Sequence, residues 1–341
     1  MIDHGYQTGF ARTGIDVTIL IVNWNSSQYL KACLSSIYNN VKGVSIEVIV
    51  VDNASYDGSA ELLSNEFPTT IFIQSDSNLG FARANNLAYR QSRGQMILFL
   101  NPDTKLLDDA VTTMYLHMQR LSSVGAVTCR VLNSDLSPQT WHLQPFPTIC
   151  NQFLDAEIVK RTLSMWNPVA PTPGSDTGSN STGVEVITAS CLMVSRVAFE
   201  EVGLFDEQYW MYGEDVHLCY RLRRAGYSIE YIGQGTVVHH GARNTPPKDR
   251  SDFAATMGRE SVAVFFRQTK GNVYAAVYKM SVGVASLLRL LVIVIVALAG
   301  GVVLHRSWVY FTGRRWLKIF GWSIGLQRWT KMGIRRQQAA L

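Results

Sequence analysis

Four carboxylates in this chain stand where apolar sequence breaks off. Glu47-Val48-Ile49-Val50-Val51 runs into Asp52, and Met96-Ile97-Leu98-Phe99-Leu100 runs into Asn101-Pro102-Asp103. Further on, Tyr212-Gly213 leads into Glu214-Asp215 at the head of a helical pattern. A carboxylate set at the end of a short aliphatic run can hold a hard divalent cation, and that cation can in turn hold phosphate oxygens. Asp103 is the leading ligand candidate: Pro102 before it has a fixed φ and no amide hydrogen, so the turn is stiff. Each acid also has a plainer reading. Asn-Pro-Asp is a common turn, and acids in a first helical turn often do no more than complement the helix dipole.

The elements that position these acids follow from the apolar pattern. Short runs rich in Val, Ile and Leu read as strands buried on both faces of a parallel sheet. Val17–Val22 is the first, the runs ending at Asp52 and Leu100 are others, and Thr70–Gln74 is a shorter one. Helical stretches fall between them, at Tyr29–Tyr38, from Asp57 to about Phe67, and at Ala82–Ser92. This alternation predicts a doubly wound α/β sheet with ligands bound at the carboxyl ends of its strands. Later, Val184–Ser195 is followed by helices near Arg196–Val202 and Asp215–Ala225, the second stopped by Gly226. Between the first two strands stands Asn23-Trp24-Asn25-Ser26-Ser27. It is not a Gly-rich phosphate loop, which argues against a P-loop enzyme and a dinucleotide-binding Rossmann domain.

Composition narrows the class. The chain has 341 residues, 47% of them hydrophobic, enough for one large domain or two modest ones. Its five cysteines include no C-x-x-C pair, as expected of a reducing compartment without structural zinc. The first 15 residues have no apolar h-region and read as an extension rather than a secretory signal. Asn167–Gly183 is rich in Pro, Gly, Ser and Thr and reads as a surface loop. The net charge of +5 is unevenly spread: no acidic residue follows Glu260, whereas 12 basic ones do. An acidic body with a basic tail predicts an anionic partner for the tail.

Several segments, taken in order, resemble the inverting family 2 glycosyltransferases of GT-A fold, and within them a bacterial rhamnosyltransferase-like branch. Val22-Asn23-Trp24-Asn25 is similar to the family's first nucleotide-contacting turn, and Asp52-Asn53-Ala54-Ser55-Tyr56-Asp57-Gly58-Ser59 to the segment whose leading Asp meets the base. Asn78-Leu79-Gly80-Phe81-Ala82-Arg83-Ala84-Asn85-Asn86 resembles a further donor-binding segment. Leu100-Asn101-Pro102-Asp103 stands where the family has its metal-binding D-x-D, with Asn101 in place of the first Asp. Gly203-Leu204-Phe205-Asp206-Glu207 and Glu214-Asp215 are similar to the acceptor-side motifs. His239, one of an adjacent pair with His240, falls on a late His of the metal or diphosphate site. Two departures stand out: His217 where an Asp is common, and Ala242-Arg243-Asn244-Thr245 where Gly-x-Ser is usual.

The resemblance implies a mostly parallel GT-A sheet flanked by helices over residues 16–265. It further implies Asp215, with Glu214, as the catalytic pair; Asn23, Asn25, Asp52, Asn78, Gly80, Arg83 and Asn101 at the nucleotide sugar; Asp103 and His239 on Mg²⁺ or Mn²⁺; and Asp206 and Glu207 on the acceptor side. The reaction would be a single displacement from a nucleoside-diphosphate sugar, L-rhamnose from dTDP-rhamnose within this branch. Another hexosyl or galactofuranosyl donor, or a non-catalytic membrane-bound sugar-nucleotide binder, are the alternatives. A nucleotidyltransferase would need a Gly-rich basic loop after strand one. A processive synthase would need Q-x-x-R-W and several membrane spans.

Residues 266–341 read as a helical membrane-associating region. Val282–Leu304 is apolar for 23 residues apart from Arg289, long enough to cross a bilayer. A single crossing would export the basic tail, against the positive-inside tendency. A segment lying in the interface, or a re-entrant hairpin turning near Gly300-Gly301, avoids that conflict. Trp308, Tyr310, Phe311, Trp316, Phe320, Trp322 and Trp329 interleave with Arg314, Arg315, Lys318, Arg328 and Lys331, a pattern suited to anionic headgroups rather than nucleic acid. The expected setting is the cytoplasmic face of the inner or plasma membrane, with a lipid-linked saccharide as acceptor.

Overall fold

The computed structural model describes residues 14–153, 181–241, 247–298 and 302–326. Its first half carries the expected alternation: β1 (Val17–Asn23), α1 (Ser27–Asn40), β2 (Ile46–Asp52), α2 (Ser59–Glu66), β3 (Ile71–Gln74), α3 (Phe81–Tyr89) and β4 (Met96–Leu100). Then come β5 (Thr104–Leu106), α4 (Ala110–Arg120), β6 (Val124–Leu132), β7 (Leu143–Gln144) and α5 (Ile149–Phe153). Beyond residue 180 follow β8 (Thr182–Gly183), β9 (Val186–Ile187), β10 (Cys191–Ser195), α6 (Arg196–Glu201), α7 (Glu214–Arg224) and β11 (Ser228–His239). The chain continues in α8 (Pro247–Lys270), α9 (Asn272–Val296) and α10 (Val302–Ser323).

The main sheet runs β3-β2-β1-β4-β10-β6-β11-β5. The first four strands are parallel, with Asn23 opposite Asp52 and Leu20 opposite Phe99. β10 enters antiparallel between β4 and β6, so its first residue, Cys191, lies opposite Leu100. The carboxyl ends of β1, β2 and β4 therefore share one edge with the start of β10. β11 runs parallel to β6 and pairs antiparallel with β5, which places His239 opposite Thr104. That register carries a residue from late in the chain to the turn that holds Asp103.

Both faces of the sheet are covered, as period-two burial along the strands requires. Ile19, Ile21, Val48, Val50 and Leu98 pack under α1 and α4, and Leu20, Ile49, Val51, Ile97 and Phe99 under α3, α6 and α7. Each fully buried aliphatic or aromatic side chain contributes about 1.5–3 kcal/mol. Asp57, just before α2, links two elements: its carboxylate accepts from the Ser59 amide (3.3 Å) and from the Ser27 amide at the head of α1 (2.7 Å).

The C-terminal helices are rooted on this domain. Phe265 of α8 packs against Phe146, His217 and Tyr220, and with Phe266, Tyr278, Ile319 and Trp322 forms a third apolar cluster. α9 and α10 are antiparallel: a Cβ at Gly283 would meet the Ser323 hydroxyl, and one at Gly313 would meet Ile293. The 282–304 run is thus divided between two helices, the geometry of a hairpin. The turn expected near Gly300-Gly301 lies outside the described residues, as do Arg328, Trp329 and Lys331. α9 is long and apolar enough to cross a membrane, with mean hydropathy 2.1 over its most apolar stretch. Two aromatic residues expected to face headgroups are turned inward instead. Trp322 is buried and donates Nε1–H to Glu260 (2.6 Å), and Trp316 lies under the guanidinium of Arg289 (4.4 Å to the ring centroid). A buried indole N–H needs an acceptor and an arginine on an apolar helix needs a π face, so packing against α8 claims Trp322 and packing against α9 claims Trp316.

Candidate active site

At the edge formed by β1 and β2, two turns are stapled together. Asn23 Nδ2 donates to Asp52 Oδ1 (2.8 Å) and to the Ser59 hydroxyl (2.8 Å). The other Asp52 oxygen accepts from the Ser55 amide (2.9 Å) and Gln74 Nε2 (2.9 Å). Asn25, in the left-handed region at φ 50°, receives the Tyr56 amide on its side-chain oxygen (3.0 Å), while its own amide donates to the Ser55 hydroxyl (2.9 Å). Asn tolerates that φ better than most residues. Asp52 is therefore buried and largely committed to shaping the Asn53–Tyr56 turn. The Asn23 side-chain oxygen is buried without a partner.

Asn78 and Gly80 organise the head of α3. Asn78 Oδ1 accepts from the Gly80 amide (2.9 Å) and from Asn53 Nδ2 (3.2 Å). Gly80 has φ 80° and ψ −178°, a region almost reserved for glycine, and a Cβ there would lie 2.3 Å from the Trp210 carbonyl oxygen. This close approach joins α3 to the loop before α7.

The cation candidates meet as the β5–β11 register dictates. Asp103 Oδ1 lies 3.2 Å from His239 Nε2, and the two residues are only 6% and 4% exposed. Asn101 Nδ2 stands 3.2 Å from the same His239 nitrogen. His240, one residue on, points the other way, with Nδ1 against the Ser134 hydroxyl (2.8 Å) and its ring beside Tyr29. Burial pushes the Asp103 carboxyl up, but the hydrogen bond and charge of His239 in its protonated form outweigh that and hold it below the usual range. Among the described residues no group of three or more His, Cys, Asp or Glu is placed to share a metal ion, so Asp103 and His239 form a pair.

Glu214 and Asp215 open α7, after Gly213 in the left-handed conformation. Asp215 Oδ2 accepts from the Ala189 amide (3.2 Å) and Oδ1 from the Val216 amide (2.8 Å). The next residue, Ser190, accepts the Asn101 amide on its carbonyl (3.1 Å). Asp215 and the Asn101-Pro102-Asp103 turn thus flank the start of β10 on the same sheet edge. Burial raises the Asp215 carboxyl above its ordinary value, with backbone N–H donors offsetting part of the rise. Glu214, 5% exposed, is raised further by burial and by the charge of Asp215, and its Oε2 is buried without a partner. His217, standing where an Asp is common, is buried beside Tyr209 and Phe265 and pushed down to about 4, chiefly by desolvation, so it is neutral.

Three expected site residues lie instead in a network around the 205–207 loop. Arg83 pairs with Glu207 (3.1 Å), which also accepts from Asn86 Nδ2 (3.2 Å). Asp206 accepts from Gln268 Nε2 (2.7 Å) and the Gln208 amide (2.9 Å), tying the loop to α8. Conversely, Gln139, Trp141 and His142 had no sequence signal, since the short turn that carries them follows neither strand nor helix periodicity. Trp141 is about half exposed with its ring 5.4 Å from that of His239. His142 is buried between the hydroxyls of Thr128 (2.7 Å) and Thr188 (2.7 Å).

Comparison with known proteins agrees with this fold. A family model described as glycosyl transferase family 2 matches residues 18–203. The low-salt glycan biosynthesis hexosyltransferase Agl10 of Haloferax volcanii is 27% identical over 71% of this chain and 71% of its own length. The N-acetylglucosaminyl-diphospho-decaprenol L-rhamnosyltransferase of Mycobacterium tuberculosis is 27% identical over 62% of this chain and 71% of its own. Rhamnosyltransferase WbbL of Escherichia coli is 26% identical over 66% and 83%. Among solved structures, a Pyrobaculum calidifontis mannosyltransferase in complex with GDP-Man and Mn²⁺ superposes with a TM-score of 0.51 over 92% of this chain and 88% of that one, at 15% identity. GalNAc-T7 with UDP, GalNAc and Mn²⁺ gives 0.54 over 75% of this chain and about half (51%) of its own, at 13% identity. A sheet whose carboxyl edge gathers Asp52, Asp103 and Asp215, and a family match running from β1 through α6, make one statement: the chain is a glycosyltransferase of family 2 with the GT-A fold.

Proposed function

We propose that this enzyme transfers a sugar, with inversion, from a nucleoside-diphosphate donor to a lipid-linked saccharide during glycan or polysaccharide synthesis at the cytoplasmic face of a membrane. The observation that carries the reading is the Asp103–His239 pair lying on the same sheet edge as Asp215. The pair fits a divalent cation. Adjacent ligands of an octahedral ion at about 2.1 Å stand about 3.0 Å apart, close to the 3.2 Å separation of Asp103 Oδ1 and His239 Nε2. A two-ligand protein site also leaves positions for diphosphate oxygens, as Mg²⁺ and Mn²⁺ sites of this kind do. When bound, such an ion offsets the negative charge that grows on the leaving diphosphate.

The chain's own residues supply the rest. Asn23, Asn25, Asp52, Asn78 and Gly80 hold rigid the two turns and the α3 head that border the donor crevice. Asn101 keeps the Asp103 turn against β10 through its amide. Asp215 takes the proton of the acceptor hydroxyl as it attacks from the face opposite the diphosphate. Its raised basicity suits that task, and the Ala189 amide fixes one oxygen so that the carboxylate keeps its aim. Burial and the charge of Asp215 favour the neutral form of Glu214. Asp206 and Glu207 serve the acceptor side by holding the loop before α7, and Arg83, on the donor-side helix α3, anchors that loop through Glu207.

L-Rhamnose from dTDP-rhamnose is the donor favoured by the rhamnosyltransferases among the relatives. Another hexosyl or galactofuranosyl donor is the second reading, favoured by the similarity to the hexosyltransferase Agl10. A non-catalytic sugar-nucleotide binder would not need the Asp215 arrangement. The lipid-linked acceptor and the membrane setting draw support from the α9–α10 hairpin, whose outer face exposes Leu287, Leu288, Leu291, Val292 and Ile295. The test is turnover of a panel of nucleotide sugars with polyprenyl-diphosphate saccharides, with and without Mg²⁺ or Mn²⁺. dTDP-rhamnose is expected to be consumed in a metal-dependent way with inversion of the anomeric centre. Retention of configuration would overturn the mechanism, and preference for another donor would overturn the rhamnose assignment.

A further inference from the structure

Gln139 belongs to none of the motifs above, yet it is buried and its carboxamide is fully engaged beside the cation site. Its Nε2 donates to the His239 carbonyl oxygen (3.1 Å) and to Asn133 Oδ1 (3.0 Å), and its Oε1 faces His239 Nδ1 at 2.8 Å. The two ends of the amide cannot be exchanged. A backbone carbonyl only accepts, so the nitrogen must face it, and the amide oxygen must then face the imidazole. An amide oxygen also only accepts, so His239 Nδ1 carries the proton. In the neutral ring this leaves the lone pair on Nε2, the atom 3.2 Å from Asp103 Oδ1. Two acceptor atoms at that distance call for a cation between them: a proton on Nε2 when the ring is charged, a metal ion when it is neutral. The Trp141 ring covers the imidazole, and Asn101 Nδ2 approaches the same Nε2, so the ring cannot turn without losing several contacts. Gln139 is itself held in place, its amide donating to the Val131 carbonyl (3.0 Å).

We propose that Gln139 is the positioning residue of the cation site: it locks His239 in the Nδ1–H tautomer and aims Nε2 at the point shared with Asp103. This rests on the reading of Asp103 and His239 as ligands. An outer partner of a metal-bound imidazole fixes tautomer and orientation, and its loss typically weakens metal binding by about 10–100-fold.

The experiment uses Mn²⁺ alone, titrated into the metal-free full-length protein and read by electron paramagnetic resonance, so no sugar substrate is needed. Gln139→Leu is expected to weaken Mn²⁺ binding by about 10–100-fold. Gln139→Glu keeps the acceptor for Nδ1–H but loses the donor to the His239 carbonyl, so it is expected to weaken Mn²⁺ binding less than Gln139→Leu does. Nitrogen-15 spectra of the unsubstituted protein report the tautomer directly, independent of how any variant folds. A His239 ring protonated on Nε2 alone would overturn the proposal. Loss of Mn²⁺ affinity in Asp103→Ala but not in Gln139→Leu would overturn the role of Gln139 by itself. No loss in either would overturn the cation site beneath it.

Discussion

Glu214 and Asp215 are neighbours in sequence with different surroundings, Glu214 buried and Asp215 half-buried. Both carboxyls are raised by desolvation, Glu214 further because Asp215 lies beside it and its Oε2 finds no partner. A raised carboxyl costs stability as pH rises. Between its ordinary value of 4.5 and its higher native value, the folded state holds the Glu214 proton longer than the unfolded chain does. Stability therefore falls through that window and is flat above it. Glu214→Gln is expected to remove much of this fall. Its thermal midpoint should match the unsubstituted protein near pH 4 and exceed it near pH 8, by about 2–4 °C for each kcal/mol relieved, as calorimetry across that range would measure. Asp215→Asn should keep nucleoside-diphosphate binding while turnover drops by about 10²–10⁴-fold, the usual worth of a general base. Simultaneous loss of binding would assign Asp215 to the donor site instead. Because the Asp215 carboxyl is raised, the acid limb of kcat/KM should lie above the ordinary aspartate value of 3.8.

At the scale of elements, the site depends on registers and close approaches rather than on single contacts. β11 brings His239 opposite Thr104, and a slip of one residue would turn it to the other face and present His240. α3 is locked to the loop before α7 by Gly80, whose Phe81 neighbour donates its amide to the Trp210 carbonyl (2.8 Å). Gly80→Ala combines a backbone conformation that side chains rarely adopt with a Cβ 2.3 Å from that carbonyl oxygen. It is expected to cost about 2 kcal/mol or more by chemical denaturation, with weakened donor binding. An unchanged unfolding midpoint would show that α3 does not need this approach.

Across the whole molecule, charge and apolarity are divided. The first 260 residues hold all 26 acidic side chains, and the α9–α10 hairpin carries an aliphatic outer face followed by a basic tail. Arg289 would be costly in lipid, but it stacks on Trp316 and donates to the Ala285 carbonyl within its own helix. At a membrane, antiparallel helices would return the chain to the face it left, the arrangement that the positive-inside tendency favours. Replacing Leu288, Leu291 and Ile295 together by Ser should weaken binding to phosphatidylglycerol-containing vesicles by at least about tenfold in co-sedimentation, while the apolar cluster around Phe266 and Trp322 keeps the fold. Unchanged vesicle binding would leave the hairpin without a role at the membrane.

Much of this was legible in the chain itself. Aliphatic runs ending on Asp52 and Leu100 dictated parallel strands and the edge where acids gather, because period and β-branching decide which segments can be buried on both faces. The Gly213-Glu214-Asp215 start and the Gly226 stop delimited α7 for similarly local reasons. What lay beyond the sequence were relations between segments far apart. β10 entering antiparallel set the Ala189 amide under Asp215, the β5–β11 register chose His239 over His240, and the turn at 139–142 supplied Gln139. Packing turned Trp316 and Trp322 inward where amphipathic pattern pointed them outward. Local propensity is a property of a few consecutive residues, whereas which amide meets which carboxylate is settled only when the sheet closes its order and the buried polar groups must each find a partner.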